Sequence, residues 1–173
     1  MPSLMKCFPL VCFLFLIGCA AMPNVKPVDN FQVERYLGTW YEIARLDHSF
    51  ERGLSRVTAH YSPKKGGGLN VVNRGYSEKQ GKWKKANGRA YFRGRTDVGS
   101  LKVTFFWPFY GSYLVFALDR DAYQWALVSG GTSKYLWILS RTPRIPDELK
   151  ARLLEKVKAA GYDPSKLIFV EHP

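Results

Sequence analysis

The chain has 173 residues, enough for one domain, and its 46% hydrophobic and 23% charged content excludes a disordered or fibrous protein. Lys and Arg number 26 against 14 Asp and Glu, a net +12, which makes a polyanion or an anionic surface a plausible partner and is silent on fold. Aromatic residues stand at 15%, a leaning towards strands, and the three cysteines (Cys7, Cys12 and Cys19) are too few and too clustered for a disulfide framework or a four-ligand zinc site.

The first segment reads as an address. Lys6 is the only charge before an almost wholly apolar run from Cys7 to Ile17. That run is short of the roughly 20 residues that span a bilayer as a helix. A basic start, a short apolar core and then small residues describe a secretory signal. Leu16-Ile17-Gly18-Cys19 resembles the lipobox of bacterial lipoproteins. The resemblance implies cleavage that leaves Cys19 as a lipid-modified N-terminus; the alternative is an ordinary signal with a chance cysteine at its end. Ala20, where the resembled lipoproteins keep Asp for retention in the inner membrane, implies the outer membrane. Residues 20–28 hold two prolines and no periodicity, a tether reaching at most about 30 Å. The expected organisation is a signal peptide over 1–18, a lipidated Cys19 and tether over 19–29, and one folded body over 30–173.

That body predicts strands at about 38–46, 55–62, 69–77, 83–93, 100–107, 112–118, 123–129 and 134–141, separated by short turn-rich connections such as Lys64-Lys65-Gly66-Gly67-Gly68. Short strands at regular intervals with hairpin-sized loops predict an all-β, eight-stranded antiparallel up-and-down barrel, large enough to hold one small ligand. The period then changes. Leu149, Leu153 and Val157 recur at helical spacing, with acids at Asp147 and Glu148, lysines near the end and Gly161 as a C-cap. This helix is expected on the outside of the barrel, over Leu136 and Ile138, with Leu167 to Val170 returning as a last short strand; lying on a membrane is the alternative.

Gly38-Thr39-Trp40 at the start of the first strand resembles the G-x-W signature of lipocalins. Asp119-Arg120-Asp121-Ala122-Tyr123 is similar to their T-D-x-x-Y block, with Leu118 where the block has Thr, and Arg141 ends the eighth strand where the family sets an Arg against the first-strand Trp. The wording around these motifs looks like the bacterial outer-membrane branch, related to apolipoprotein D. The resemblance runs from about Phe31 to Phe169 and implies a carrier of fatty acids, lysophospholipids or other lipophiles, serving membrane maintenance under stress. Gly38, Trp40 and Arg141 are then barrel-closing residues: the indole plugs one end, and the guanidinium lies on its face. Phe31 to Leu37 would cross beneath as a helical turn.

Strand alternation assigns the interior. Taking Trp40 as inward places Glu42, Ala44 and Leu46 inside, with Val57, Ala59, Val71, Asn73, Ala90, Phe92, Leu101, Val103, Phe105, Tyr113, Val115, Ala117, Trp125, Leu127, Tyr135, Trp137 and Leu139. The chosen ligand-binding set is Asn73, Phe92, Phe105, Tyr113, Val115, Trp125, Tyr135 and Trp137. Small residues among large ones predict a hollow, mostly apolar chamber. Lys79, Lys82, Lys84, Lys85, Arg52, Lys134 and the aromatic run Phe106 to Tyr110 fall at the expected open rim, suited to an anionic headgroup or a membrane face.

Two other classes fit poorly. Nucleic-acid binding is suggested by pI 9.7, but Gly88 to Arg95 lacks an RNA-recognition signature and an export signal separates the chain from the cytoplasm. Catalysis would need a nucleophile elbow or a histidine cluster, and neither His48, His60 nor His172 has metal-ligand spacing. Glu42 is expected to pair with a polar neighbour rather than to work as an acid. No cofactor is implied. A structural or protein-binding module at the outer membrane remains the alternative, and the oligomeric state stays open, a homodimer included.

Overall fold

The computed structural model describes residue 23 and residues 25–173; the expected signal over 1–18 and the lipid-attachment candidate Cys19 lie outside the described residues. Eight strands follow in order: β1 (Gly38–Leu46), β2 (Leu54–Pro63), β3 (Leu69–Ser77), β4 (Lys82–Phe92), β5 (Ser100–Phe106), β6 (Phe109–Leu118), β7 (Trp125–Ser129) and β8 (Leu136–Ser140). Each pairs antiparallel with the next, and β1 pairs with both β2 and β8, so the sheet closes into a barrel without a free edge. A short helix α1 (Val33–Tyr36) precedes β1, helix α2 (Asp147–Ala159) follows β8, and β9 (Leu167–Phe169) joins the outer half of β1.

Two apolar cores result. Inside the barrel, Phe31, Tyr36, Trp40, Tyr61, Val71, Leu101, Val115, Ala126, Val128 and Leu139 pack together. Outside, Leu153 and Val157 of α2 press on Ile43, Ala44, Leu46, Leu127, Leu136 and Ile138. The helix therefore lies on the barrel, with Leu136 and Ile138 beneath it.

Irregularities decide which residues go where. The β1–β8 register shifts between Glu42 and Ala44, so Glu42 faces in while Ala44 and Leu46 turn out under α2. Simple alternation from Trp40 put both inside; a bulge reverses everything beyond it. A second shift between Val115 and Ala117 turns Ala117 towards the helix. Trp125 and Leu127 likewise face outward, and Ala126 and Val128 take the interior. The reason is local: Tyr123 adopts φ 54°, so alternation starts afresh at Trp125 instead of continuing from Tyr123.

The hairpins sort the two ends. Residues 47–53, 78–81, 107–108 and 130–135 connect strands at one end, the mouth. The other end is shut by α1 and by Trp40. Tyr36 lies 4.8 Å from Trp40 ring to ring, and the indole Nε1 donates to the Tyr36 carbonyl at 2.8 Å. The Arg141 guanidinium sits 3.9 Å over the Trp40 ring and donates to the carbonyls of Thr39 (2.9 Å) and Arg35 (2.7 Å). Gly38 holds φ +94°, and a Cβ there would approach Arg141 Nη1 to 3.4 Å, so a side chain would be strained as well as crowded.

Candidate functional site

Above the plug the barrel is hollow. The chamber measures about 600 Å³, within the roughly 300–1,000 Å³ of small-molecule sites, and its wall is overwhelmingly apolar. Val57, Ala59, Val71, Ala90, Val103 and Leu139 form the aliphatic wall, and Phe50, Phe105, Tyr135 and Trp137 supply rings. Gly88 makes room for the Phe105 ring, which a Cβ there would meet at 2.7 Å.

Of the eight residues chosen from the sequence, Asn73, Phe105, Tyr113, Tyr135 and Trp137 line this chamber. Phe92 and Val115 are inward but lie in the packed closed end: Phe92 meets Phe31 at 6.4 Å, and Val115 exchanges backbone hydrogen bonds with Val28 and Gly99 at 2.8 Å. Trp125 is packed among the residues under α2 and does not reach the chamber.

The polar atoms of the wall fall into three groups. At the floor, the Tyr113 hydroxyl lies 2.7 Å from that of Tyr36 and 2.8 Å from that of Tyr61. Burial pushes all three phenols above their ordinary range; the neighbouring tyrosines raise Tyr113 further, and the Glu51 and Glu42 carboxyls do so for Tyr61. They remain neutral donors at any physiological pH. Midway, Asn73 presents a buried Oδ1 that has no hydrogen-bond partner among the described residues. Such an atom costs about 1–3 kcal/mol until something donates to it.

The third group is a buried ionic knot on β1 and the loop after it. Arg45 Nη1 donates to Glu42 Oε1 at 2.7 Å, and Nη2 donates to the Glu51 carbonyl at 2.8 Å. His48 Nε2 lies 3.0 Å from Glu51 Oε2, which also accepts from the Trp137 indole at 3.1 Å. Burial raises the Glu42 carboxyl well above the usual range and nearby Glu51 raises it further, against the pull of Arg45. Glu51 is also penalised by burial, yet His48, the Trp137 indole and Arg45 hold it below the usual range. The two carboxyls are thus held in opposite electrostatic settings, and both reach the chamber wall. Arg45 is thus the polar partner expected for Glu42.

Glu51 and Phe50 escaped the sequence reading because loop residues have no period to follow. Tyr61 was within reach, as the next inward position after Val57 and Ala59. Arg45 became inward only through the bulge. Among the described residues no group of His, Cys, Asp or Glu is arranged to hold a metal ion.

With this geometry in view, the relatives of the chain are informative. A family model for a lipocalin-like domain matches residues 31–172. The outer membrane lipoprotein Blc of Vibrio cholerae is 55% identical over 165 residues, covering 95% of this chain and 96% of that protein. Its counterpart from Escherichia coli K12 is 51% identical over 98% of this chain and 99% of its own length. Bovine apolipoprotein D is 32% identical, with 91% and 84% covered. Among solved structures, insecticyanin from the tobacco hornworm superposes with a TM-score of 0.70 at 22% identity, over 88% of this chain and 87% of that one, a likeness of fold.

Proposed function

Because the chain belongs to the lipocalin family and is an outer-membrane lipoprotein, we propose that it carries fatty acids or lysophospholipids in its barrel, held to the membrane by lipid on Cys19. The family is one of binding proteins rather than enzymes, and binding of a lipophilic ligand is its common ground.

The observation that carries the reading is the chamber itself: about 600 Å³, apolar, open at one end and floored by Tyr61 and Tyr113. An acyl chain fits such a wall, since each buried methylene contributes about 0.8 kcal/mol. Asn73 Oδ1 and the Glu42 carboxyl offer polar partners to the few polar atoms of a lipid near its headgroup. The biological purpose we infer is maintenance of the membrane under stress, by holding single-chain lipids that would otherwise disturb the bilayer.

Titration with fatty acids and lysophospholipids of graded length, followed by tryptophan fluorescence, tests this. Trp137 lines the chamber and Trp125 does not. Saturable quenching that vanishes in Trp137→Phe and survives in Trp125→Phe is the expected result. A flat response from folded protein would overturn the carrier and leave a structural or protein-binding barrel.

A further inference from the structure

The outer wall of the barrel away from α2 carries nearly all of the excess charge. Residues 54–102 contain twelve Lys and Arg against two acids, so they hold +10 of the chain's net +12. β2, β3 and β4 contain no acid at all. In the closed sheet β3 stands across from β7, which α2 covers, so this wall is left open to solutes.

Register brings a set of polar side chains together on it. Thr39 on β1 pairs with His60 on β2, Thr58 on β2 pairs with Arg74 on β3, and Arg74 pairs in turn with Lys85 on β4. Their sequence neighbours Ala59, Asn73 and Ala86 line the chamber, so these side chains alternate outward. Lys85, expected at the rim, thus stands midway along β4. Thr39, Thr58, His60, Val72, Arg74 and Lys85 border a cleft of about 440 Å³. The wall is one sheet thick, and Thr58, Arg74 and Lys85 border the chamber across it as well.

Arg74 and Lys85 are the informative pair. Like charges directly opposite on neighbouring strands repel and weaken the sheet. Neither cation has an ion pair among the described residues. The acids of the neighbourhood do not relieve them: Glu78 accepts from Ser55 at 2.6 Å, Asp97 pairs with Arg95, and Glu171, brought to β2 by the Arg56 amide, pairs with neither. A negative charge seated between the two would turn repulsion into attraction. The surrounding groups suit an oxyanion. The Thr39 hydroxyl lies 2.9 Å from His60 Nδ1; when it donates there, Nε2 carries the ring proton and is left to donate to a ligand. A guanidinium, an ammonium, an imidazole N–H and the Thr58 hydroxyl exceed what the two oxygens of a carboxylate can use. Coming from three strands, they match the tetrahedral oxygens of a phosphate.

We propose that this cleft on the outer wall, separate from the lipid chamber, binds a phosphate group between His60, Arg74 and Lys85, either free phosphate or the phosphate of a lipid headgroup.

Thermal melts of the full chain test it. Inorganic phosphate at roughly ten times its Kd is expected to raise Tm by about 3–6 °C, and chloride at equal ionic strength is not. The double variant Arg74→Thr/Lys85→Thr places strand-forming residues at two exposed positions, so the fold survives. In chloride it should melt at or above the parent, and the gain from phosphate should fall away. That difference between the two proteins separates a site from general stabilisation by an excluded salt, which both would share. Glycerophosphoglycerol, the deacylated headgroup of phosphatidylglycerol, distinguishes the sources. A larger gain than with inorganic phosphate, lost in the double variant, supports a headgroup; a smaller one supports free phosphate. Equal gains in parent and double variant, or an equal gain from chloride, overturn the site. So does a double variant that melts well below the parent in chloride, because the two cations would then not be in opposition.

Discussion

Arg141 does several jobs with one side chain. Its guanidinium covers Trp40 at 3.9 Å and donates to a carbonyl of α1 and one of β1. Arg141→Ala is expected to cost about 2–3 kcal/mol, read as a lower urea midpoint at unchanged slope. Lysine should rescue it only in part, having no planar fork to reach both carbonyls. Glu42 gives a pH signature. Its carboxyl is protonated more readily in the folded than in the unfolded chain, so its contribution is complete at low pH. That contribution is lost as pH rises above the ordinary Glu range towards the folded value, with a slope of about 1.4 kcal/mol per pH unit. Glu42→Gln should flatten this fall in thermal scans across pH; an unchanged profile would mean that another group carries it.

At the scale of elements, the bulges set what can be altered. Ala86 on β4 stands opposite Asn73 and lines the chamber from an exposed position, whereas Ala117 on β6 faces the helix side. Ala86→Trp is expected to block uptake of an acyl ligand with little change in stability. Ala117→Trp should do the reverse, disturbing the helix contact and sparing uptake; fluorescence titration beside denaturant melts separates them. Leu153→Ala, at a residue of α2 that is almost wholly buried, should cost about 2–5 kcal/mol. These elements also show what was legible beforehand. The barrel, the outside helix and the Trp40–Arg141 plug follow from turn spacing, a change of period and three motifs. Ala44, Leu46, Ala117, Trp125 and Leu127 came out on the wrong face because a one-residue shift or a single positive φ leaves no mark in composition. Half of the ionic knot was hidden for a different reason: His48 and Glu51 sit in a loop, and only folding brings it over β1.

For the molecule as a whole, the depth of the chamber predicts a length rule. Each added methylene should improve affinity about fourfold, the equivalent of 0.8 kcal/mol, until the chain meets the tyrosine floor. Beyond that length affinity should level off, as competition titrations across a homologous series would show. A steady rise without plateau would place the tail outside the barrel.

The seam of the barrel carries a last consequence. β1 leaves β2 after Tyr41, and the gap beyond is stitched by β9 and the residues that follow it: the Val170 amide donates to the Ile43 carbonyl, and the Arg56 amide to that of Glu171, both at 2.9 Å. The first two strands are thus fastened by residues more than a hundred positions later. Contacts of such long sequence separation form late in folding. A chain emerging from its N-terminus would stay unbuttoned until residues 167–171 arrive, so closure waits on the order in which the chain appears.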